Sequence, residues 1–233
     1  MKEQKVIGIL GGMGSYATVD VFEKVLRATP AKRDQDHIRI IIDNNPKIPN
    51  RRTAILDGTE DPTPIMIETA KNLERAGADF IILPCNTAHY FIPEIQKNIS
   101  VPIISMIDET VNQVCNIITN VNKVGLLASL GTLKVKLYHN AFEIKGVNVI
   151  IPEEDDQNNI IRIIDKVKVG ANTVEDKNEM KEIAFKLVSK GVEGIVLGCT
   201  EIPIVIGKND IGVPIFDATK ILATSAVKMV LEG

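Results

Sequence analysis

The feature that most constrains this chain is a repetition. The segment KVIGILGGMGS at 5–15 returns as KVGLLASLGT at 123–132, with Gly8 over Gly125 and Gly14 over Gly131, 117 residues apart both times. AKNLERAGADFIILPCNT returns as AFKLVSKGVEGIVLGCTE, with Gly77 over Gly191 and Cys85 over Cys199, 114 apart. VPII at Val101 precedes VPIF at Val213 by 112. Three blocks in one order, with offsets drifting by only a few residues, predict two similarly folded halves. Whatever chemistry the first half carries then has a counterpart in the second.

Each half alternates short β-branched runs with longer amphipathic segments. Strands are expected at 5–10, 38–43, 79–83 and 102–105, with helices at 16–28, 62–76 and 91–98. The second half repeats the rhythm, with strands at 123–127, 147–150, 194–197 and 213–216 and helices at 134–142, 155–168 and 175–190. Strands that are apolar throughout and separated by helices predict parallel sheets, hence an α/β fold of two similar parallel-sheet domains. At 233 residues and 45% hydrophobic content, the chain can bury a sizeable core.

Charge and composition exclude several classes of function. A net charge of −3 with acids and bases interspersed offers no basic stripe for phosphates, so nucleic acid is not an expected partner. Apolar runs such as 38–42 and 103–107 fall far short of the roughly 20 residues a bilayer span needs, so no membrane partner is expected either. The start MKEQKVIGIL runs straight into a glycine turn and lacks the length and cleavage site of a secretory leader; the expected location is cytoplasmic. Three cysteines, an odd count, point to free thiols, and their spacing is not that of a metal site.

Two of these thiols occupy matching places. In an open parallel sheet, ligands bind outside the carboxyl ends of the strands, and Cys85 and Cys199 each follow an expected strand at that edge. The polar residues after them, NTAH and TEIP, suggest helix N-termini, whose partial positive charge favours thiolate. If the halves face each other, so do the two sulfurs. A thiolate on one side and a thiol on the other are what inversion of a carbon centre requires: one removes the Cα proton, the other delivers a proton to the opposite face. A lone cysteine is first read as core packing. Cys115, in the amphipathic stretch DETVNQVCNII and without a counterpart in the repeat, keeps that reading.

GILGGMGS after the first strand, NNPKIPNRR, PCNTAH and GCTEIP, in that order over nearly the whole chain, resemble the cofactor-independent aspartate/glutamate racemase family, specifically its aspartate racemase branch. The resemblance implies an active site in the cleft between two α/β domains, no pyridoxal phosphate or other cofactor, no metal, a homodimer, and Cys85 and Cys199 as the acid/base pair. It also implies that the final helix returns to the first domain. The expected domains are therefore 1–103 with 213–233, and 104–212.

Further positions follow from the matched motifs. Gly12, Met13 and Gly14, beside Gly11, form a turn that can aim backbone N–H groups at a substrate carboxylate, or that simply needs glycine torsions. Arg51 matches the arginine of the family's Ile-Pro-Asp-Arg-Thr motif, where it would clamp a side-chain carboxylate in bidentate fashion, and Asn50 adjoins it. Asn86, Thr87, Thr200 and Glu201 flank the cysteines as substrate contacts or helix caps, with Glu201 also a candidate for the substrate ammonium. Ser129 and Thr132 occupy the second half's version of the glycine turn, and Lys168, before Gly170, matches a family lysine near the substrate. His89 belongs to the PCNTAH motif, with stabilisation of the turn as its simplest role.

The chain departs from the family where Ser15 replaces proline and where Asn50 and Arg52 replace aspartate and threonine. An acid is lost and a base gained beside Arg51, which bears on side-chain selection, so aspartate stands beside glutamate or a broader range of amino acids as the expected substrate. A reading from another class also exists. GMGSYA fits G-x-G-x-x-A, the start of a dinucleotide site. That site wants an acid about 20 residues on, whereas Asp43 lies 29 beyond Gly14, and it leaves the paired cysteines unexplained. A non-catalytic amino-acid-binding module is the third alternative.

Overall fold

The computed structural model describes residues 4–208 and 210–232. Met1–Glu3, part of the stretch read against a leader, lie outside them. The first sheet contains β1 (Ile7–Gly11), β2 (Ile40–Asn44), β3 (Phe80–Ile82) and β4 (Ile103–Ile104) in the order β2-β1-β3-β4. The second contains β5 (Lys123–Ala128), β6 (Asn148–Ile150), β7 (Ile195–Gly198) and β8 (Ile215–Asp217) in the order β6-β5-β7-β8. Every pairing is parallel, and the second order is the first repeated. The expected α/β architecture is therefore observed, with each sheet carrying its own helices.

The helices follow from spacing and from their ends. α1 (Ser15–Ala28) buries Ala17, Val21 and Val25 at four-residue intervals. α2 (Arg51–Asp57), not expected from periodicity, starts where the Asn50 side chain accepts the N–H groups of Arg52 and Thr53 and stops at left-handed Gly58. α3 (Thr63–Arg75) and the short α4 (Ile92–Gln96) complete the first half. After β4 comes α5 (Met106–Ile117). The single helix expected at 134–142 is two, α6 (Leu130–Lys134) and α7 (Leu137–Glu143), broken where Lys136 takes a left-handed conformation with φ 55°. α8 (Glu154–Lys168) opens on three acids and closes on lysines, matching its dipole. α9 (Val174–Ser189) starts on a reciprocal cap between Thr173 and Asp176, and α10 (Ala218–Glu232) ends the described chain.

The chain forms two compact units, Met1–Met106 with Thr219–Gly233, and Ile107–Ala218. The changes of unit fall at 106/107 and 218/219, beyond the sequence-based boundaries at 103/104 and 212/213, because β4 and β8 stay paired with β3 and β7. Each sheet's following helix, α5 or α10, then joins the other unit. Among the described residues, no helix is long and apolar enough to cross a membrane.

Candidate active site

In the first unit the turn after β1 is braced from two sides. Gly12 has φ +92°, and a Cβ there would lie 2.3 Å from the Asn45 backbone, so glycine is required. Its N–H donates to Thr18 Oγ1, which in turn donates to the Gly14 carbonyl. That engaged N–H removes Gly12 from the anion-binding donors expected of the turn, leaving Met13 and Gly14. The departure at Ser15 is tied in place by Asn44 Nδ2, which donates to its hydroxyl.

Arg51 closes the other side. Its Nη1 donates to the carbonyls of Ile48 (3.0 Å) and Pro49 (2.7 Å), and its Nη2 to that of Met13 (3.4 Å). Three of its five N–H donors are thus used. Nε is buried and has no hydrogen-bond partner among the described residues, and Nε and Nη2 lie along one edge of the guanidinium. That edge is the geometry a carboxylate takes in bidentate fashion. Asn50 is exposed and spends its side-chain oxygen on capping α2, so the structure places it beside Arg51 without directing it to a ligand.

Cys85 follows β3 and is 8% exposed, within an apolar cluster that includes Leu10, Met13, Leu83 and Ala88. The residues after it form a 3-10 turn, Thr87–Phe91, and Asn86 makes no side-chain cap there. His89, 6% exposed, holds the segment: Nε2 accepts the Met106 N–H at 2.9 Å, so it is unprotonated, and Nδ1–H donates to the Cys85 carbonyl at 2.9 Å. The motif histidine therefore stabilises the turn and pins the cysteine to the first residue of α5.

In the second unit Cys199 directly follows β7, also 8% exposed, in a cluster with Leu127, Ile160, Val167 and Ile202. Cys199 Sγ–H donates to Glu201 Oε2 at 3.0 Å, and Thr200 Oγ1–H donates to the same oxygen at 3.2 Å. Burial pushes the Cys199 thiol well up from its ordinary value, and the Glu201 carboxylate pushes it further, against an opposing pull from Lys168. The expectation that a helix N-terminus favours thiolate at this position is corrected. The segment after Cys199 is a three-residue 3-10 turn, Ile202–Ile204, too short for an appreciable dipole, and the carboxylate favours the thiol. Glu201, 4% exposed, is likewise engaged with Cys199 and Thr200 before any ammonium arrives.

Ser129 caps α6 by accepting the Thr132 N–H, and the two hydroxyls lie 3.2 Å apart, just past β5, whose last residue Ala128 pairs with Gly198. Lys168 is partly exposed and paired with Asp165, yet near enough to act electrostatically on Cys199. Behind the cysteine, burial pushes the Tyr138 phenol above its ordinary range, against a hydrogen bond with Thr110. Sequence reasoning missed Tyr138 because a tyrosine in an amphipathic helix reads as core, which it also is.

This arrangement, two repeated α/β units each offering a buried cysteine after the third strand of its sheet, is the class that the comparisons meet. The structure matches that of the Picrophilus torridus aspartate racemase with a TM-score of 0.86 and 31% identity, covering 97% of this chain and 93% of that one. An aspartate racemase homologue from Pyrococcus horikoshii OT3 matches with a TM-score of 0.80 and 28% identity, covering 98% and 99%. In sequence, the broad specificity amino-acid racemase of Bacillus subtilis (strain 168) is 29% identical over 230 residues, 97% of this chain and 98% of that protein. The family model for Asp/Glu/hydantoin racemases matches residues 10–226, and the chain belongs to that family.

Proposed function

We propose that the protein interconverts L- and D-aspartate without pyridoxal phosphate, by two-base chemistry at Cys85 and Cys199. The observation that carries the reading is the pair of buried cysteines following equivalent strands of a repeated sheet, one of them held as a thiol against a carboxylate. Cys199, protonated at rest, supplies a proton to one face of Cα while Cys85 removes the proton from the other; in the reverse direction they exchange roles. A thiolate left beside Glu201 is unfavourable, which drives Cys199 to recover a proton and reset. The mechanism requires both sulfurs to reach opposite faces of one carbon. The buried Nε and adjacent Nη2 of Arg51 take the side-chain carboxylate, while Met13, Gly14, Asn86, Thr87, Ser129, Thr132, Thr200 and Lys168 supply the remaining contacts.

A second reading, turnover of a broader set of amino acids, is favoured by the Bacillus subtilis relative and by the substitutions at 50 and 52. The dinucleotide reading rested on the Gly12–Gly14 turn, whose Gly12 N–H is occupied by Thr18. The test is chiral chromatography after incubating dialysed, pyridoxal-free protein with single enantiomers. Equal amounts of L- and D-aspartate at the end point are expected. Activity that appears only when pyridoxal phosphate is added overturns the proposal, and faster turnover of other amino acids selects the second reading.

A further inference from the structure

The buried face of α8 consists of Ile160, Ile163, Ile164, Val167 and one polar residue, Gln157, which is 6% exposed. Its Nε2 donates to the Ala128 carbonyl at 2.9 Å. The assignment is forced, because a carbonyl only accepts, so the amide nitrogen must face it and Oε1 must turn away. Oε1 is buried and has no hydrogen-bond partner among the described residues. Leaving such an acceptor unpaired is destabilising, and an apolar residue continuing the stripe would avoid that loss. Ala128 pairs in register with Gly198, the residue before Cys199, and precedes Ser129, so this amide lies at the strand-end edge that carries the candidate site.

Whatever satisfies Oε1 must donate. An aspartate zwitterion has two carboxylates, which only accept, and one ammonium, which only donates. The first unit provides a mirror of this construction. There Arg51, on the helix after the second strand, bonds the Met13 carbonyl two residues beyond β1, where Gln157 bonds the last carbonyl of β5, and its unpaired buried atom is a donor. We propose that Gln157 is a substrate-binding residue whose carboxamide oxygen accepts a hydrogen bond from the substrate ammonium. This rests on the racemase reading and names a second acceptor for the ammonium beside Glu201, whose Oε2 already accepts from Cys199 and Thr200.

The test compares aspartate with succinate, which carries the same two carboxylates and no ammonium, by calorimetry on the full chain with both cysteines replaced by serine. Gln157→Met is expected to weaken aspartate about tenfold and leave succinate unchanged. Gln157→Glu, which keeps an acceptor and adds charge while giving up the bond to Ala128, should weaken succinate more than aspartate, and it decides the matter if the methionine variant does not fold. Equal losses for both ligands with Gln157→Met, or an unchanged aspartate-to-succinate ratio with Gln157→Glu, overturn the assignment, as does a parent protein that binds no amino acid. Racemisation by the unmodified protein is scored separately, so binding that depends on Gln157 without turnover retires the catalytic reading and leaves this one standing.

Discussion

Arg51 and Gln157 perform the same structural task in the two halves and leave opposite capacities behind. Gln157 bonds the last carbonyl of β5 and Arg51 a carbonyl two residues past β1, and both keep one buried polar atom unpaired among the described residues, a donor in the first unit and an acceptor in the second. The cysteines differ in the same spirit. Two residues after Cys85 stands Thr87, whereas two after Cys199 stands Glu201, which receives the thiol proton. His89, which fastens the Cys85 carbonyl, has Pro203 as its counterpart at the offset of 114. Duplication kept the strand order and let the polar positions diverge. A divergence of this kind suits a ligand that is negative at one end and positive at another.

The largest effects should come from the cysteines. Cys85→Ala or Cys199→Ala alone is expected to lower racemisation by about 10³-fold or more, since one proton transfer loses its agent. Each variant retains one thiol of the pair, so each should still exchange the Cα proton of one enantiomer with deuterium, and the two should choose opposite enantiomers. Mass-spectrometric uptake into L- and D-aspartate reads this directly. A single variant that racemises near the wild-type rate breaks the functional half of the comparison and leaves only shared architecture.

Next in size is Arg51→Ala. It removes the braces on Met13, Ile48 and Pro49, a loss felt by every substrate, and the Nε edge, a loss felt only by a substrate with a second carboxylate. Aspartate turnover should fall below that of alanine or serine by a further factor of about thirty, the equivalent of about 2 kcal/mol for a charged hydrogen bond. Equal losses on all substrates would assign Arg51 to the turn alone.

Glu201→Gln should act on one cysteine only. With the carboxylate gone, the pH midpoint for alkylation of Cys199 should move down. The sign carries into stability. The folded thiol holds its proton above the value of about 8.5 at which unfolded cysteine ionises, so above that pH the folded state binds more protons and stability falls as pH rises. Glu201→Gln should make that fall shallower in thermal melts above about pH 8.5, with kcat reduced by about tenfold. An unmoved Cys199 midpoint would mean that burial alone holds the thiol.

The frame of this molecule is legible in its sequence because buried parallel strands are continuous apolar runs, and a duplicated chain shows them twice. The strands and long helices therefore emerge within a few residues. α2 does not, since seven residues give too short a window for periodicity, although Asn50 and Gly58 mark its ends. The turns after the cysteines read as α-helix starts because the same polar residues serve 3-10 turns. Gln157 hides in EDDQNN, a run that reads as the solvated acidic opening of a helix until its spacing from Ile160 and Ile164 is noticed. Proximity of Cys199 to Glu201 is implied by a spacing of two; the direction of their hydrogen bond is a property of the folded site alone.

The smallest expected effect falls on His89, and it is confined to one half. The imidazole donates to the Cys85 carbonyl and accepts the Met106 N–H, so it ties the cysteine to the residue at which the chain leaves the first unit. Glutamine can reproduce both bonds, through its amide N–H and its carbonyl oxygen, whereas leucine fills similar space and makes neither. Leucine removes the His89 bonds to the Cys85 carbonyl and the Met106 N–H, at about 1–3 kcal/mol, and frees the Cys85 segment to shift. In a chain lacking Cys199, His89→Leu should therefore slow deuterium exchange at the remaining Cys85 about tenfold, with His89→Gln recovering most of it. In a chain lacking Cys85, neither change should alter exchange at Cys199. A loss of similar size in both backgrounds would show that His89 supports the fold as a whole, and the half-specific positioning argued from its two hydrogen bonds would fail.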